Sequence, residues 1–450
     1  MNQLSKIEEE NLNLSDIRIN GEEIWMFLRV RYYFYFLGKK QKWKSGKRGN
    51  IKKKLHYLST LFYGFKNWFK KYDYIIFSDS SQRKLIDGQY QDKLAEYLSK
   101  ELEGESLFVE LPNLHHENIK EISSRHIVSR IPLITVVNLL MFFLPKYKHG
   151  RVDEIQSRYN IEAGYSKWLQ EFFGGIKVYK LFFRIYRPKA VVVSNYYYNI
   201  DVVIAAKKYG IKVIETQHGV IGESHFAFNI NQEFSRRYFP DIMLMFGDDD
   251  KEVIDEGGKV LSPYSVGHYY LDYINNKYDL SEKWLGRLSK FKLSIAVSLQ
   301  LESGKEILDF IAKIAAKRSE YIFLIAMRQD FQRNLIENIP DNVIFPDDLD
   351  CYQIVKHCDI HSSVYSTCVQ ESLALGKYNV LINLDNAASK YYSKLNYTSI
   401  VSDKILDDYI SALDTYEAVS PEIIQNSMKS YVEPNYMGNI KELVKAGVFN

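Results

Sequence analysis

Two histidines and two glutamates lie around a short turn that contains two glycines. Together with the glycines they are, in chain order, Glu215, His218, Gly219, Gly222, Glu223 and His225. A neutral histidine can take a proton from a hydroxyl group at pH 7, as general-base catalysis requires, and glycines allow a tight turn that a ligand can approach closely. We predict that His218 is the base, and that Glu215, Glu223 and His225 share this role or orient the imidazole. The structural alternative is that His218 only hydrogen-bonds to its own loop.

A loop rich in hydroxyl groups precedes a short predicted helix in the second half of the chain. Its hydroxyl groups belong to Ser362, Ser363, Ser366 and Thr367, and Glu371 follows one turn into the helix. The positive end of a helix dipole beside hydroxyl groups can bind a phosphate or a carboxylate, and Glu371 can accept hydrogen bonds from ribose. Thr367 with Gln370 also fits an ordinary capping box, which needs no ligand. Arg328, which follows a different predicted strand, could neutralise a leaving phosphate.

Metal and cofactor motifs are weak in this sequence. Asp248–Asp250 could hold Mg²⁺ or Mn²⁺ on a diphosphate, but an acidic first turn of a helix starting at Lys251 explains them better. Cys351, His357, Cys358 and His361 are close in sequence but lack the paired spacing of a zinc site. Dinucleotide, P-loop and nucleophile-elbow motifs are missing from the sequence. We therefore expect no metal and no cofactor.

The elements that position these residues are short apolar runs alternating with amphipathic stretches. The clearest predicted strands are Tyr74–Phe77, Ala190–Ser194, Lys212–Thr216 and Asp241–Phe246, then Leu293–Val297, Tyr321–Ala326, Asp359–His361 and Asn379–Leu384. This alternation predicts an α/β protein with two doubly wound parallel sheets. Predicted boundaries are 1–72 for a helical basic and aromatic extension, 73–280 and 281–425 for the two α/β domains, and 426–450 for C-terminal helices, with a linker at Asn275–Lys292. The candidate residues directly follow strands, where ligands bind in such sheets.

The charge of the 450-residue chain is unevenly distributed. The total is +3, yet residues 24–72 carry 14 Lys and Arg and no Asp or Glu, so the rest of the chain has a net charge of −11. Cations interleaved with aromatic rings suit an anionic membrane surface, although a helix packed on the body or a nucleic-acid contact gives the same pattern. The predicted docking residues are Lys39, Lys40, Lys42, Trp43, Lys44, Lys52, Lys53, Lys54 and Trp68. Nucleic acid is the least favoured partner.

The compartment follows from what the sequence contains. Three cysteines favour a reducing environment, and the polar stretch 1–15 does not resemble a signal peptide. Residues 131–144 are the most apolar run, but 14 residues are fewer than the roughly 20 of a spanning helix, so we predict a buried or interfacial helix. We expect a cytoplasmic protein that docks peripherally on the inner face of the membrane.

Three segments resemble bacterial GT-B-type glycosyltransferases of capsule and lipopolysaccharide assembly. They are the turn ETQHGVIG, the stretch DIMLMFGDDDKEVI with the later YSVGHYYLD, and LDCYQIVKHCDIHSSVYSTCVQESLALGKYNVLINL. The resemblance implies two Rossmann-like domains facing a cleft, an acceptor domain followed by a donor domain. It also implies a nucleotide-sugar donor, a glycan or lipid-linked glycan acceptor, and no need for a metal.

The same resemblance implies roles for individual residues. The four hydroxyl side chains of the 362–367 loop would contact the donor phosphate or an acidic sugar carboxylate, Glu371 would hold the ribose, and His218 would face the acceptor. Related transferases that use cytidine-activated sugars often have His-Pro where this chain has Met327-Arg328-Gln329, which leaves the nucleotide open. Alternatives are a polyol-phosphate transferase that uses a CDP-glycerol-like donor, a sugar-nucleotide epimerase, and a non-enzymatic scaffold of a polysaccharide assembly complex.

Overall fold

The computed structural model describes residues 3–40, 59–113, 116–221, 225–230, 232–255, 262–300, 303–328 and 330–449. Backbone contacts divide the chain into a first unit, Met1–Val266 with Asn435–Asn450, and a second unit, Gly267–Pro434. The division therefore falls before the predicted linker at Asn275–Lys292, because that stretch contains helices of the second unit. The helix Tyr269–Lys277 is attached to the second unit by the Tyr270 hydroxyl, which donates to the Asp350 carboxylate at 2.6 Å.

The first unit is built on a parallel sheet of seven strands among the described residues. Its helices and strands in chain order are α1 Gln3–Glu10, β1 Arg18–Ile19, β2 Glu22–Glu23, α2 Ile24–Lys40, β3 Tyr74–Asp79, β4 Arg83–Ile86, β5 Gln89–Asp92, α3 Glu96–Glu101, β6 Ser106–Leu111, β7 Ile127–Ser129, α4 Ile131–Met141, α5 Gly150–Arg158, α6 Tyr165–Tyr186, β8 Ala190–Val193, α7 Ile200–Lys208, β9 Lys212–Thr216, β10 Ile242–Met245, α8 Lys251–Asp255 and β11 Ser262–Ser265. The order across the sheet is β11-β10-β9-β8-β3-β6-β7. Strands β3, β8 and β10 are almost wholly apolar and buried because helices cover both faces of a parallel sheet.

The second unit repeats this plan with a parallel sheet of six strands in its described part. Its helices and strands are α9 Tyr269–Lys277, α10 Glu282–Leu288, β12 Leu293–Ser298, α11 Gly304–Lys317, β13 Tyr321–Ala326, β14 Val343–Ile344, α12 Cys351–His357, β15 Ile360–Ser363, α13 Cys368–Ala374, β16 Tyr378–Ile382, α14 Ala387–Tyr392, β17 Thr398–Val401, α15 Leu406–Asp414 and α16 Pro421–Asn426. The strand order is β14-β13-β12-β15-β16-β17. The predicted fold class, two Rossmann-like α/β units, is confirmed.

The end of the chain returns to the first unit. Helix α17, Tyr436–Lys445, packs there through the Tyr436 hydroxyl, which donates to the carbonyl of Leu94 at 3.4 Å. Lys212 Nζ donates to the carbonyl of Val448 at 3.0 Å. The C-terminal helix is therefore part of the first unit.

The N-terminal helices belong to the core of the first unit. Trp25 and Tyr32 are fully buried, and Arg29 is 1% exposed. Arg29 pairs with Glu8 of α1 at 2.7 Å and donates from Nη1 to the carbonyl of Phe226 at 2.7 Å. The aromatic side chains in this part of the basic segment therefore pack inside the protein.

The predicted docking residues are only partly described. Residues 42–54 and the side chains of Lys39 and Lys40 lie outside the described part of the chain. Trp68 is half-buried, and its ring centroid lies 6.0 Å from that of Phe182 on α6. Trp68 thus contributes to packing. Among the described helices, we find none with enough length and apolar character to cross a membrane.

Candidate functional site

The turn after β9 is held by two polar side chains at the carboxyl edge of the sheet. β9 lies between β8 and β10, and its continuation, Gln217, is buried. The Gln217 side chain accepts from the amide of Phe246 at 2.7 Å and donates to the carbonyl of Gly219 at 2.9 Å. The Asp250 carboxylate accepts from the amide of Ile221 at 3.1 Å. These bonds fix the turn that carries His218.

His218 lies half-buried in this turn beside Tyr197. Its Nε2 is 3.3 Å from the Tyr197 hydroxyl oxygen. Burial lowers the pKa of His218 to about 4, and the nearby charge of Lys93 acts in the same direction, whereas a backbone hydrogen bond at Ser194 opposes it. The imidazole is therefore neutral at pH 7 and can accept a proton. An anionic substrate beside it would raise this pKa toward the working pH.

His225 flanks the same tyrosine. The ring centroids of His225 and His218 lie 5.7 and 6.2 Å from that of Tyr197. His225 Nδ1 accepts from the amide of Ala227 at 3.3 Å, and burial lowers its pKa to about 4. The structure therefore brings both predicted histidines close to the ring of Tyr197.

Glu215 has a different role from the one predicted. Its side chain is fully buried, and Oε1 accepts from the amide of Tyr196 at 3.2 Å, while Oε2 has no partner in the part of the chain that the structure describes. Burial raises its pKa to about 8, so the group is mostly a neutral carboxylic acid at pH 7. A buried, protonated carboxyl cannot act as a base, which corrects that part of the prediction. Gly222 and Glu223 lie outside the described residues.

Aromatic side chains line this edge of the sheet, and sequence reasoning did not single them out. Tyr196, Tyr197 and Tyr198 directly follow β8. Phe34 of α2 stacks on Tyr198 at 5.3 Å between centroids, and Tyr33 of α2 stacks on Phe226 at 3.9 Å. The rule that functional residues follow strands would have found the tyrosines, whereas the contribution of α2 depends on tertiary packing.

In the second unit, Ser362 and Ser363 are part of the core. Both are fully buried in β15. Ser362 Oγ donates to the carbonyl of Val380 at 2.7 Å, and Ser363 Oγ donates to the carbonyl of Ser298 at 3.0 Å. Ser363 Oγ also accepts from Gln300 Nε2 at 3.0 Å. Both hydroxyl groups form hydrogen bonds inside the unit and are shielded from solvent. The prediction that they contact a donor phosphate is therefore wrong.

The loop before α13 is capped differently from the prediction. Ser366 Oγ accepts from the amide of Cys368 at 3.3 Å, whereas the Thr367 side chain makes no capping hydrogen bond. The reciprocal capping box of this unit is formed instead by Asp350 and Gln353 at the start of α12. Thr367 is half-buried and remains open to a ligand.

Glu371 of α13 is a buried carboxyl group that lacks full hydrogen bonding, as does Gln370 beside it. Glu371 is 4% exposed; its Oε1 accepts from the Tyr352 hydroxyl at 2.9 Å, and its Oε2 has no partner among the described residues. Arg328 follows β13 with an exposed side chain, and its backbone amide donates to Gln332 at 2.7 Å. β13 is separated from β15 by β12 in the sheet. Arg328 and Glu371 thus lie after different strands that are not neighbours in the sheet.

A cavity of about 390 Å³ opens beside the ends of β15, β16 and β17. Val364, Leu384 and Lys404 line it from the loops after these strands, and Glu306 and Asp309 line it from α11. The residues predicted to bind the donor are not part of this lining. Its mixed charge does not favour one ligand class.

The candidate metal ligands are used in ordinary packing. Asp248 pairs with Lys251 at 2.6 Å, and α8 begins at Lys251 as predicted. His361 is buried, with its ring nitrogens 2.9 Å from Ser298 Oγ and 2.7 Å from Asn379 Oδ1. Across the described ranges, His, Cys, Asp and Glu side chains do not form a group of three that could bind a metal ion.

Comparison with known proteins identifies the fold. Neither protein-family models nor curated proteins match the chain. Solved structures do, and one is UDP-GlcNAc 2-epimerase from Neisseria meningitidis bound to UDP-GlcNAc, with a TM-score of 0.52 at 13% identity over 84% of this chain and 99% of the other. The 2-epimerase from Methanocaldococcus jannaschii gives 0.51 at 10% identity over 84% and 99%. The calicheamicin glycosyltransferase CalG4 gives 0.51 at 13% identity over 84% and 98%. The chain therefore has a GT-B-type fold.

Proposed function

We propose that this protein is a glycosyltransferase of bacterial surface polysaccharide assembly. It moves a sugar from a nucleotide-activated donor to an acceptor, which is a lipid-linked glycan. Three structures that share its fold are named as enzymes of nucleotide sugars or as glycosyltransferases. The observation that carries the proposal is the neutral His218 at the carboxyl edge of the first sheet, 3.3 Å from the Tyr197 hydroxyl.

In this proposal the first unit binds the acceptor. The acceptor hydroxyl oxygen forms a bond to the anomeric carbon, and its proton passes to His218. The neutral form of His218, maintained by burial, is the form that can accept this proton. Tyr197 orients the imidazole, and Tyr198, which is 56% exposed, provides an apolar ring on which a sugar can pack.

The second unit binds the donor. The bond between the anomeric carbon and the nucleotide phosphate breaks, and the nucleotide leaves with the bonding electrons. Glu371 accepts hydrogen bonds from the ribose through its Oε2 atom, for which the described residues provide no partner. Thr367 and Arg328 are the remaining candidates for the phosphate. We expect no metal requirement, and a peripheral position at the inner face of the membrane.

A thermal-shift panel of the full chain with UDP, GDP, CDP and CMP, with and without Mg²⁺, tests nucleotide binding. A ligand at 100 times its Kd should add about 2.7 kcal/mol to the free energy of unfolding. We expect one nucleotide to stabilise the protein without Mg²⁺, and Glu371→Gln to weaken that effect by roughly 10-fold or more in Kd. Glu337→Gln, at an exposed position of the same unit outside the cavity, is the matched control. No shift with any nucleotide would favour the scaffold alternative.

Product analysis then separates the enzyme classes. Labelled nucleotide sugars and CDP-glycerol are incubated with the protein, with and without a lipid-linked acceptor. Transfer gives a longer glycan and free nucleotide, whereas epimerisation inverts a carbon of the donor sugar with no acceptor. Polyol-phosphate transfer releases CMP from CDP-glycerol. Either of the last two results would overturn the glycosyltransferase proposal.

A further inference from the structure

Helix α4 exposes an apolar surface on the first unit. Directly after it come Phe142 and Phe143, whose side chains are 84% and 85% exposed. Leu139 and Val136 within the helix are 56% and 45% exposed. Single exposed apolar side chains are common in proteins, but a contiguous group of large ones marks an interaction surface.

A second apolar cluster lies beside β7, the strand that leads into α4. Phe62, Phe65 and Phe69 are 70%, 48% and 75% exposed, and their successive ring centroids are 6.0 and 5.2 Å apart. The carbonyl of Tyr63 accepts from the amide of Ser129 at 3.1 Å, two residues before α4 begins. The two clusters therefore border the same edge of the sheet.

Helix α6 connects these clusters. Val137 of α4 packs at Gly174, where an added Cβ would lie 3.3 Å from Val137 Cγ1. Leu181 and Ile185 follow Gly174 by seven and eleven residues, so all three lie on one stripe of α6. Leu181 and Ile185 are 49% and 53% exposed. Lys71, next to the phenylalanine cluster, donates to the carbonyl of Ile185 at 2.5 Å.

The segments that carry these side chains are rich in cations, although Lys189 among them pairs with Asp73 at 3.2 Å. Segments 59–72, 125–152 and 172–200 contain no Asp or Glu. Their cations are Lys66, Lys70, Lys71, Arg125, Arg130, Lys146, Lys148, Arg151, Lys177, Lys180, Arg184, Arg187 and Lys189. Lys146 and Lys148 come three and five residues after Phe143 and are themselves exposed. An apolar surface surrounded by cations is complementary to anionic headgroups above an acyl layer.

We propose that this apolar face, formed by Phe62, Phe65, Phe69, Val136, Leu139, Phe142, Phe143, Leu181 and Ile185, docks the protein on an anionic lipid bilayer. Phe142 and Phe143 enter the boundary between headgroups and acyl chains while Lys146 and Lys148 contact lipid phosphates. α4 spans 11 residues, about 16 Å of helix, so it lies in the interface and does not span. This surface differs from the docking residues predicted in the basic segment. Its use in reaching a lipid-linked acceptor rests on the proposed function, whereas docking itself does not.

Vesicle flotation of the full chain, without any substrate, tests the proposal. We expect binding to phosphatidylcholine–phosphatidylglycerol vesicles that weakens with salt, and little binding to phosphatidylcholine alone. Phe142→Ser with Phe143→Ser should lower the partition coefficient by about 10-fold or more. Lys146→Glu with Lys148→Glu should remove the preference for the anionic vesicles. Leu285→Ser with Ile423→Ser, which alters two half-exposed apolar side chains of the second unit, is the control and should bind like wild type.

The phenylalanine variant should keep the wild-type melting temperature, because both side chains are largely exposed. Wild-type vesicle binding by this variant would overturn the proposal. A triple variant with Lys52→Glu, Lys53→Glu and Lys54→Glu, and no other change, should still bind vesicles, so its loss of binding would also overturn the proposal. A dimer in solution that the phenylalanine variant dissociates would assign the face to a second copy of the chain. Nucleotide binding is measured separately, in detergent-free solution without vesicles. It tests the proposed enzyme function, whereas flotation tests membrane docking, so the failure of one proposal is distinguished from the failure of the other.

Discussion

The hydroxyl oxygen of Tyr197 lies 3.3 Å from Nε2 of His218. Tyr197 follows β8 and His218 follows β9, two adjacent parallel strands. Burial raises the pKa of the tyrosine, so its hydroxyl remains protonated and can donate to the imidazole. The contact therefore fixes the orientation of a neutral histidine at the edge of the sheet where ligands bind in this architecture.

Replacing His218 should remove catalysis without unfolding the protein. We expect His218→Ala to lower kcat by about 10²-fold or more, because a positioned base contributes about 10²–10⁴-fold. The half-buried position predicts a melting temperature close to wild type. Steady-state kinetics with a soluble acceptor and a thermal melt measure the two effects.

Tyr197→Phe is the companion variant for that measurement. It keeps the ring and removes the hydroxyl, so kcat should fall less than in His218→Ala while the pH profile shifts. Nearly full activity of His218→Ala would contradict the assignment of the base.

Glu215 should make stability depend on pH. Its pKa is about 8 in the folded protein against 4.5 for an ordinary glutamate, so the folded state binds a proton that the unfolded state has lost. Its contribution to the free energy of unfolding is complete below pH 4.5 and declines as pH rises to 8, by at most about 1.4 kcal/mol per pH unit. Glu215→Gln should abolish that decline.

Urea unfolding of wild type and Glu215→Gln across this pH range measures the difference. The variant should gain stability relative to wild type as pH rises, since the amide stays neutral. Glu154→Gln, an exposed site on α5, should give a constant difference. A constant difference for Glu215→Gln as well would show that its carboxyl group titrates normally.

Ser363 should contribute to the stability of the fold and should not contact the nucleotide-sugar donor. Ser363→Ala removes an oxygen that bonds to Gln300 and to the Ser298 carbonyl, so we expect a loss of about 1–3 kcal/mol. The KM for the donor should stay unchanged. A large rise in KM with unchanged stability would restore the phosphate-contact hypothesis.

The N-terminal helices should be required for folding. Arg29→Met leaves Glu8 buried without its cation and should cost about 3–5 kcal/mol. Arg158→Met, whose pair with Glu154 is on the surface, should cost about 0–1 kcal/mol. Denaturant melts of both variants test this, and equal small losses would show that the first forty residues are a dispensable extension.

Sequence patterns predicted the strands well where burial on both faces requires continuous apolar residues. β9 and β13 have the predicted bounds, Lys212–Thr216 and Tyr321–Ala326. The short β7 and the hairpin of β4 and β5 were not predicted. These strands are brief and partly polar, so periodicity carries too little signal to detect them.

By itself the sequence determined two parallel α/β units and placed His218, His225 and Glu371 after strands. It did so because strand period and strand ends follow from local apolar spacing. Only the tertiary structure decided which way side chains face and what covers them. It placed the serines of β15 and the aromatic rings of α2 in the core, neutralised Glu215 by burial, and left Phe142 and Phe143 exposed. Solvent exposure depends on which distant segments pack against a residue, and local composition does not specify that packing.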